Sequence, residues 1–185
     1  MPQDVALFDG TVAENVARFD ASASSQSIIE AAHIAGAHEM ILRLTNGYET
    51  QIGEGGASLS SGQRQRIGLA RAVFGAPFLV VLDEPDANLD VDGEKALTRT
   101  ILTLRAARKI PIVISHRANV LAALNMALVI YAGRMIAFGA RDQVFEQVAR
   151  SVGHQVPPAS SPEGPAAATR KDDRLPHGAQ HHATA

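Results

Sequence analysis

Phe78-Leu79-Val80-Val81-Leu82-Asp83-Glu84-Pro85-Asp86-Ala87-Asn88-Leu89-Asp90 is the stretch whose reading settles the fold class. Its first five residues form a short, continuously apolar, partly β-branched run, which predicts a parallel strand buried on both faces. That run leads directly into two carboxylates, Asp83 and Glu84. A second apolar run, Ile112-Val113-Ile114, is expected as a second buried strand; it leads into Ser115-His116, and Pro111 is tolerated only at its start. Between the two, a helix is expected from Asp92 to Arg108, so this part reads as an α/β layer with parallel strands. In open parallel sheets ligands sit beyond the carboxyl ends of the strands. Two adjacent carboxylates there suit a division of labour: one ligates a hard cation while the other acts on a water. His116 reaches the same crevice from the neighbouring strand. A histidine after a strand is by itself more often structural than catalytic, and the case rests on three such groups at two strand ends.

Working outward, residues 117–125 look helical, and Leu128–Tyr131 and Arg134–Phe138 flank Ala132-Gly133 as a β-hairpin. Upstream of Phe78 the signals are helical. Thr11 with Glu14 makes a capping box ahead of an apolar stripe of Val12, Val16 and Phe19. Ser27 with Glu30 repeats that signature ahead of Ile28, Ala31, Ala32 and Ala35, and a short helix from His38 to Leu44 closes at Asn46-Gly47. After Gly53-Glu54-Gly55-Gly56, a helix is expected from Gly62 to Phe74 with Gly75 as its stop, and Ile67, Ala70 and Phe74 share one face. Ser60, Ser61 and Gly62 stand at its positive end, where free N–H groups make an anion site; a plain Ser N-cap is the simpler account.

The 185 residues carry 17 Lys plus Arg against 19 Asp plus Glu, a net charge of −2, which gives no electrostatic case for nucleic acid as a partner. There is no cysteine, so disulfide frameworks and Cys-ligated zinc are excluded. The longest charge-free stretch, Ala118 to Gly133, is 16 residues and holds Asn119 and Asn125, too short to span a bilayer. Asp4, Asp9 and Glu14 stand where a signal peptide would be basic and then apolar. Composition shifts near residue 150. Residues 151–185 hold five of nine prolines and four of seven histidines but only two Val and one Leu as large aliphatics, so residues 149–185 are expected to be a disordered tail. His177, His181 and His182 there are read as solvated, and His33 and His38 as surface helix residues. Arg64, Arg66 and Arg71 are expected to face solvent or an interface.

Five motifs in order then resemble those of the ATP-binding cassette (ABC) ATPases. Leu59-Ser60-Ser61-Gly62-Gln63 is similar to the signature motif, and Leu82-Asp83-Glu84-Pro85 to the Walker B strand with its catalytic glutamate. Asn88-Leu89-Asp90 resembles the D-loop, Ser115-His116-Arg117 the switch-histidine loop, and Pro2-Gln3-Asp4 the Q-loop. Within that family, residues 3–16 and Ile52–Gly56 resemble exporters, and with Phe78–Asp90 they are most similar to type I secretion ATPases.

The resemblance covers residues 1–148. It implies a helical subdomain with Q-loop and signature helix over 1–75, then part of a P-loop NTPase sheet core over 76–148. It also implies a dimer with a second nucleotide-binding domain, two shared ATP sites, a transmembrane permease domain and a secreted protein substrate. The location it implies is the cytoplasmic face of the bacterial inner membrane, or the cytoplasm if the chain is expressed alone. By resemblance Asp83 helps hold Mg²⁺, Glu84 polarises the attacking water and His116 contacts the γ-phosphate. Gln3 senses Mg²⁺ and water. Ser60, Gly62 and Gln63 of the signature face the γ-phosphate held by the opposite subunit, and Asp90 lines the dimer seam.

Three departures bear on this. Ser61 stands where Gly is usual, and Asp86 where Thr, Ser or Asn is common, which adds negative charge near the seam. The third is larger: no G-x-x-x-x-G-K-[ST] occurs, and the only lysines are Lys95, Lys109 and Lys171. The chain therefore reads as starting at the Q-loop, without the Walker A half that cradles phosphate. In the family the phosphate-loop strand lies between the strand at 112–115 and that at 127–131, so a gap in the sheet is expected there. Alternatives to part of an exporter ATPase are an interaction module that lends its signature motif to a partner, and an inert remnant.

Overall fold

The computed structural model describes residues 1–153. Four helices come first: α1 (Val12–Val16), α2 (Ser25–Ile34), α3 (His38–Leu42) and α4 (Ser61–Val73). Strand β1 (Leu79–Asp83), helix α5 (Val91–Ala106), strand β2 (Ile110–Ile114) and helix α6 (Ala118–Ala122) follow. The chain then forms the hairpin β3 (Met126–Tyr131) and β4 (Arg134–Ala140) and helix α7 (Arg141–Gly153). α7 crosses the expected boundary at 148; the remainder of the expected tail, 154–185, lies outside the described residues.

The helix starts follow their side chains. Thr11 Oγ1 accepts from the Glu14 N–H while the Glu14 carboxylate accepts from the Thr11 N–H, the reciprocal arrangement expected there. Two boundaries differ from expectation. α1 stops at Val16 because Arg18 and Phe19 take positive φ, which leaves Phe19 exposed rather than on a buried stripe. α2 is capped one turn earlier than expected, by Ser24, whose hydroxyl takes the Ser27 N–H; Ser27 therefore lies inside the first turn.

α4 is the hub, packing on both α1 and α2. Val12, Val16, Ala32, Ile41, Ile52 and Ile67 are fully buried around it, and Val80, Leu82, Leu97 and Ile101 extend the same core to β1 and α5. Gly68 of α4 lets the first segment approach: a Cβ there would lie 2.6 Å from Val5 Cγ1. Asn15, wholly buried, holds the next part of that segment, accepting from the Phe8 N–H and donating to the Phe8 and Thr11 carbonyls at 2.9–3.0 Å.

β1 and β2 pair in parallel, with Leu79 opposite Ile110 and Asp83 opposite Ile114. β3 and β4 pair antiparallel through Ala132-Gly133, both at positive φ as a tight hairpin turn requires. The two pairs are separate two-stranded sheets, so the expected gap between β2 and β3 is present. One expectation fails. Neither strand of the pair is buried on both faces: Val80 and Leu82 of β1 point into the core, whereas Leu79 and Val81, like Ile110, Ile112 and Ile114 of β2, are about half exposed. The helices cover one face of the pair, and nothing among the described residues covers the other.

Candidate functional site

The parallel pairing of β1 and β2 brings their carboxyl ends together. The ladder runs one residue past β1, since the Glu84 N–H donates to the Ile114 carbonyl at 2.9 Å. Glu84 itself sits at φ +40°, a left-handed conformation that costs on the order of 1 kcal/mol in a residue with a side chain. The turn lifts its carboxylate over the strand ends. The first segment arrives on the other edge of β1: the Met1 amino group donates to the Val81 carbonyl, and the Asp83 N–H to the Met1 carbonyl at 2.9 Å. Two residues on, Gln3 Nε2 donates to Glu84 Oε2 at 2.6 Å. From the opposite side His116 Nδ1 lies 4.0 Å from Glu84 Oε1, an ion pair only when the ring is protonated. Gln3, Glu84 and His116, distant in sequence, thus form one cluster, with Asp83 adjacent and half buried.

The signature residues stand at the start of α4. Ser60 is its N-cap: Ser60 Oγ accepts from the Gln63 N–H at 3.2 Å, and Gln63 Oε1 takes the Ser60 N–H at 2.8 Å. A capping box therefore occupies Gln63, while Ser60 and Ser61 remain exposed. Among the described residues no side-chain bond joins Ser60, Gly62 or Gln63 to Glu84 or His116. A neighbour joins the two regions instead. Gln65, buried in α4, donates to the Pro85 carbonyl at 3.1 Å, and Gly62 abuts the Asn88 carbonyl.

The arginines of α4 have intramolecular tasks. Arg66 pairs with Asp90 at 2.6 Å, Arg64 donates to the Leu59 carbonyl, and Arg71 donates to the Ala6 carbonyl beneath the Phe8 ring. All three are half buried rather than turned fully to solvent, because each guanidinium finds an acceptor: in the loop before α4 for Arg64, at the N-cap of α5 for Arg66 and in the first segment for Arg71. Burial, then the like charge of Arg18, pushes the Arg71 guanidinium down from its usual range. Asp90 caps α5 through the Gly93 N–H at 2.7 Å. That bond, then Arg66, holds the Asp90 carboxyl below its ordinary 3.8. His33 is exposed, while His38 is half buried, stacked on His33 and bonded to the Tyr48 hydroxyl at 2.9 Å.

Asp86 departs most from expectation. Rather than adding charge to an outer face it turns inward and is 1% exposed. Ser115 and Arg117 pull it there: Ser115 Oγ donates to Asp86 Oδ2 at 2.9 Å, and Arg117 Nε lies 3.4 Å from the same oxygen. Gln65, Asp86, Ser115 and Arg117 are the residues sequence reasoning missed as site-builders. A polar residue within a helix or turn carries no sign of which way it points. Two cavities beside Arg18 and Arg71, with volumes near 400 and 350 Å³, are lined by none of Gln3, Asp83, Glu84 and His116.

A model of the family described as "ABC transporter" matches residues 1–87. The chain is 53% identical over 150 residues to the type I secretion system ATP-binding protein PrsD of Rhizobium meliloti, covering 81% of this chain and 26% of that protein. It is 36% identical over 140 residues to the cyclolysin secretion/processing ATP-binding protein CyaB of Bordetella pertussis, covering 76% of this chain and 20% of that one. The fold matches a bacterial Atm1-family ABC exporter solved with ATP bound, at a TM-score of 0.72 and 30% identity over 86% of this chain and 28% of that chain. In motif order, sequence and fold the chain is similar to the ABC transporter family. Its fold is part of the ABC ATPase domain, and it spans about a quarter of the length of these relatives. No described helix is long and apolar enough to cross a membrane.

ABC ATPases bind ATP with Mg²⁺, and the residues here fit one side of that ligand. Asp83 and Glu84 supply hard oxygen donors, and the exposed start of α4 supplies N–H groups suited to phosphate. They do not fit the whole of it. No glycine loop with lysine is present in these 185 residues to neutralise the phosphates. Among the described residues, no three acidic or histidine side chains converge as a metal cage.

Proposed function

We propose that residues 1–148 supply the Q-loop, signature helix, Walker B strand and switch histidine of an ATP-hydrolysing domain that drives export. Residues 1–75 would form the helical part and 76–148 the sheet part. The observation that carries the reading is the convergence of Gln3, Glu84 and His116 at the ends of β1 and β2, each a motif residue from a different part of the chain. Protein secretion is the favoured process, because the relatives named above include two secretion ATP-binding proteins. A transmembrane permease, a second nucleotide-binding domain and a secreted protein would be the partners, at the cytoplasmic face of the inner membrane.

In this reading Glu84 accepts a hydrogen bond from the attacking water and draws on its proton. Gln3 fixes the carboxylate from one side, and His116 presents its ring to the outer phosphate from the other. Asp83 is the residue to ligate Mg²⁺, whose charge would offset that of the phosphoryl oxygens. Phosphoryl transfer depends on positioning and charge neutralisation more than on covalent help. Carboxylates without the lysine of a phosphate loop repel a polyanion, so this chain alone should hydrolyse ATP at no more than background. Mg²⁺-dependent turnover by the purified chain, lost on Glu84→Gln, would contradict that.

A second reading follows from the exposure of Ser60 and Ser61 at the start of α4. The chain could lend this helix end to a nucleotide held by a partner's phosphate loop. Co-purification with a complete ABC subunit, abolished by Ser60→Arg, would support it.

A further inference from the structure

Glu84 and His116 come from different loops, so something must hold the second loop in register with the first. Asp86 lies two residues beyond Glu84 and is buried. Its Oδ2 accepts from Ser115 Oγ at 2.9 Å and faces Arg117 Nε at 3.4 Å. Ser115 Oγ in turn accepts the Arg117 N–H at 3.0 Å, and the Arg117 guanidinium also pairs with Glu94 on α5. One carboxylate oxygen therefore grips the residues on both sides of His116, whose own side chain is mostly exposed and otherwise unsupported. The other oxygen, Oδ1, is buried with no protein partner among the described residues.

We propose that Asp86 is a positioning residue: by clasping Ser115 and Arg117 it sets His116 against Glu84. The proposal rests on the reading of Glu84 and His116 as the reacting pair, but its test does not depend on hydrolysis. Amide hydrogen exchange of the chain should show residues 115–117 exchanging about ten-fold faster in Asp86→Ala, the equivalent of one lost hydrogen bond, with α4 amides unchanged. The nuclear Overhauser contact between the His116 ring and the Glu84 side chain should vanish. Asp86→Asn, which retains an acceptor for Ser115 but not the charge facing Arg117, should fall between. Ser115→Ala breaks the same bond from the half-buried side, so the test survives if Asp86→Ala does not fold. Unchanged exchange at 115–117 in Ser115→Ala and Asp86→Asn would overturn the proposal. So would equal acceleration throughout α4 and β1, which would make Asp86 a general stabiliser. If the hydrolysis reading failed while 115–117 still loosened, the clasp would stand as structure and only its use would be lost.

Discussion

The helical region and the strand region of this chain use similar apolar side chains to different effect. Ile41, Ile52 and Ile67 are wholly buried among α1–α4, whereas Ile110, Ile112 and Ile114 of β2 are each about half exposed. The β3–β4 hairpin is barer still, with Leu128, Ile130, Met135 and Phe138 turned outward. A fully buried Ile stabilises a fold by about 1.5–3 kcal/mol relative to an exposed one, so the strands forgo much of that gain. The difference teaches that the helices bury their apolar side chains in a core shared with the inner face of β1 and with α5, while each strand pair has one face the described residues leave uncovered. Between β2 and β3 no strand among the described residues pairs the facing edges, which leaves their backbone groups without a ladder partner there.

The largest contrast should come from truncation on the two sides. Ile67→Ala is expected to cost about 2–5 kcal/mol in urea unfolding, because it opens a cavity in a closed core. Ile112→Ala should cost less than about 1 kcal/mol, since much of its side chain already meets water. Equal losses would break the comparison. A smaller effect tests the helix starts. Thr11→Ala removes the capping-box hydroxyl and should cost about 1 kcal/mol, whereas α6, whose N-cap Arg117 makes no side-chain cap bond, offers no such site.

The smallest effect lies where the two regions meet, at the Arg66–Asp90 pair. Asp90→Asn keeps a capping side chain and removes the charge, so at pH 6 it should cost no more than about 0.5 kcal/mol. The folded state holds the Asp90 carboxyl below 3.8, so its contribution is present above that pH and is lost as pH falls through the lower folded value. The difference between parent and variant should therefore shrink as pH drops from 5 to 3. A gap that stayed constant would show that the charge contributes nothing.

Much of this was legible in sequence. The β1 and β2 runs, the capping box at Thr11 and the Ala132-Gly133 turn are local signals that local chemistry enforces, whereas the box read at Ser27 gave way to Ser24 and the reciprocal bond of Gln63 to Ser60 was not foreseen. The convergence of Gln3, Glu84 and His116 came from motif order, not from physics alone, and the parallel register of β1 and β2 then explains it. The exposed alternation of β1 was not legible, because five consecutive apolar residues look alike whether one face or both are covered. Nor was the inward turn of Asp86, which depends on Ser115 and Arg117 arriving from another strand. α7 lay in a stretch where falling hydrophobicity masked a short apolar stripe led by the buried Val144.

Native-state hydrogen exchange of the isolated chain tests the central contrast most directly. Amides of α4 should exchange at least a hundred-fold more slowly than those of the β3–β4 hairpin, reflecting opening energies that differ by some 3 kcal/mol. Hairpin amides as well protected as those of α4 would contradict the account, for they would show that the strand region closes on itself.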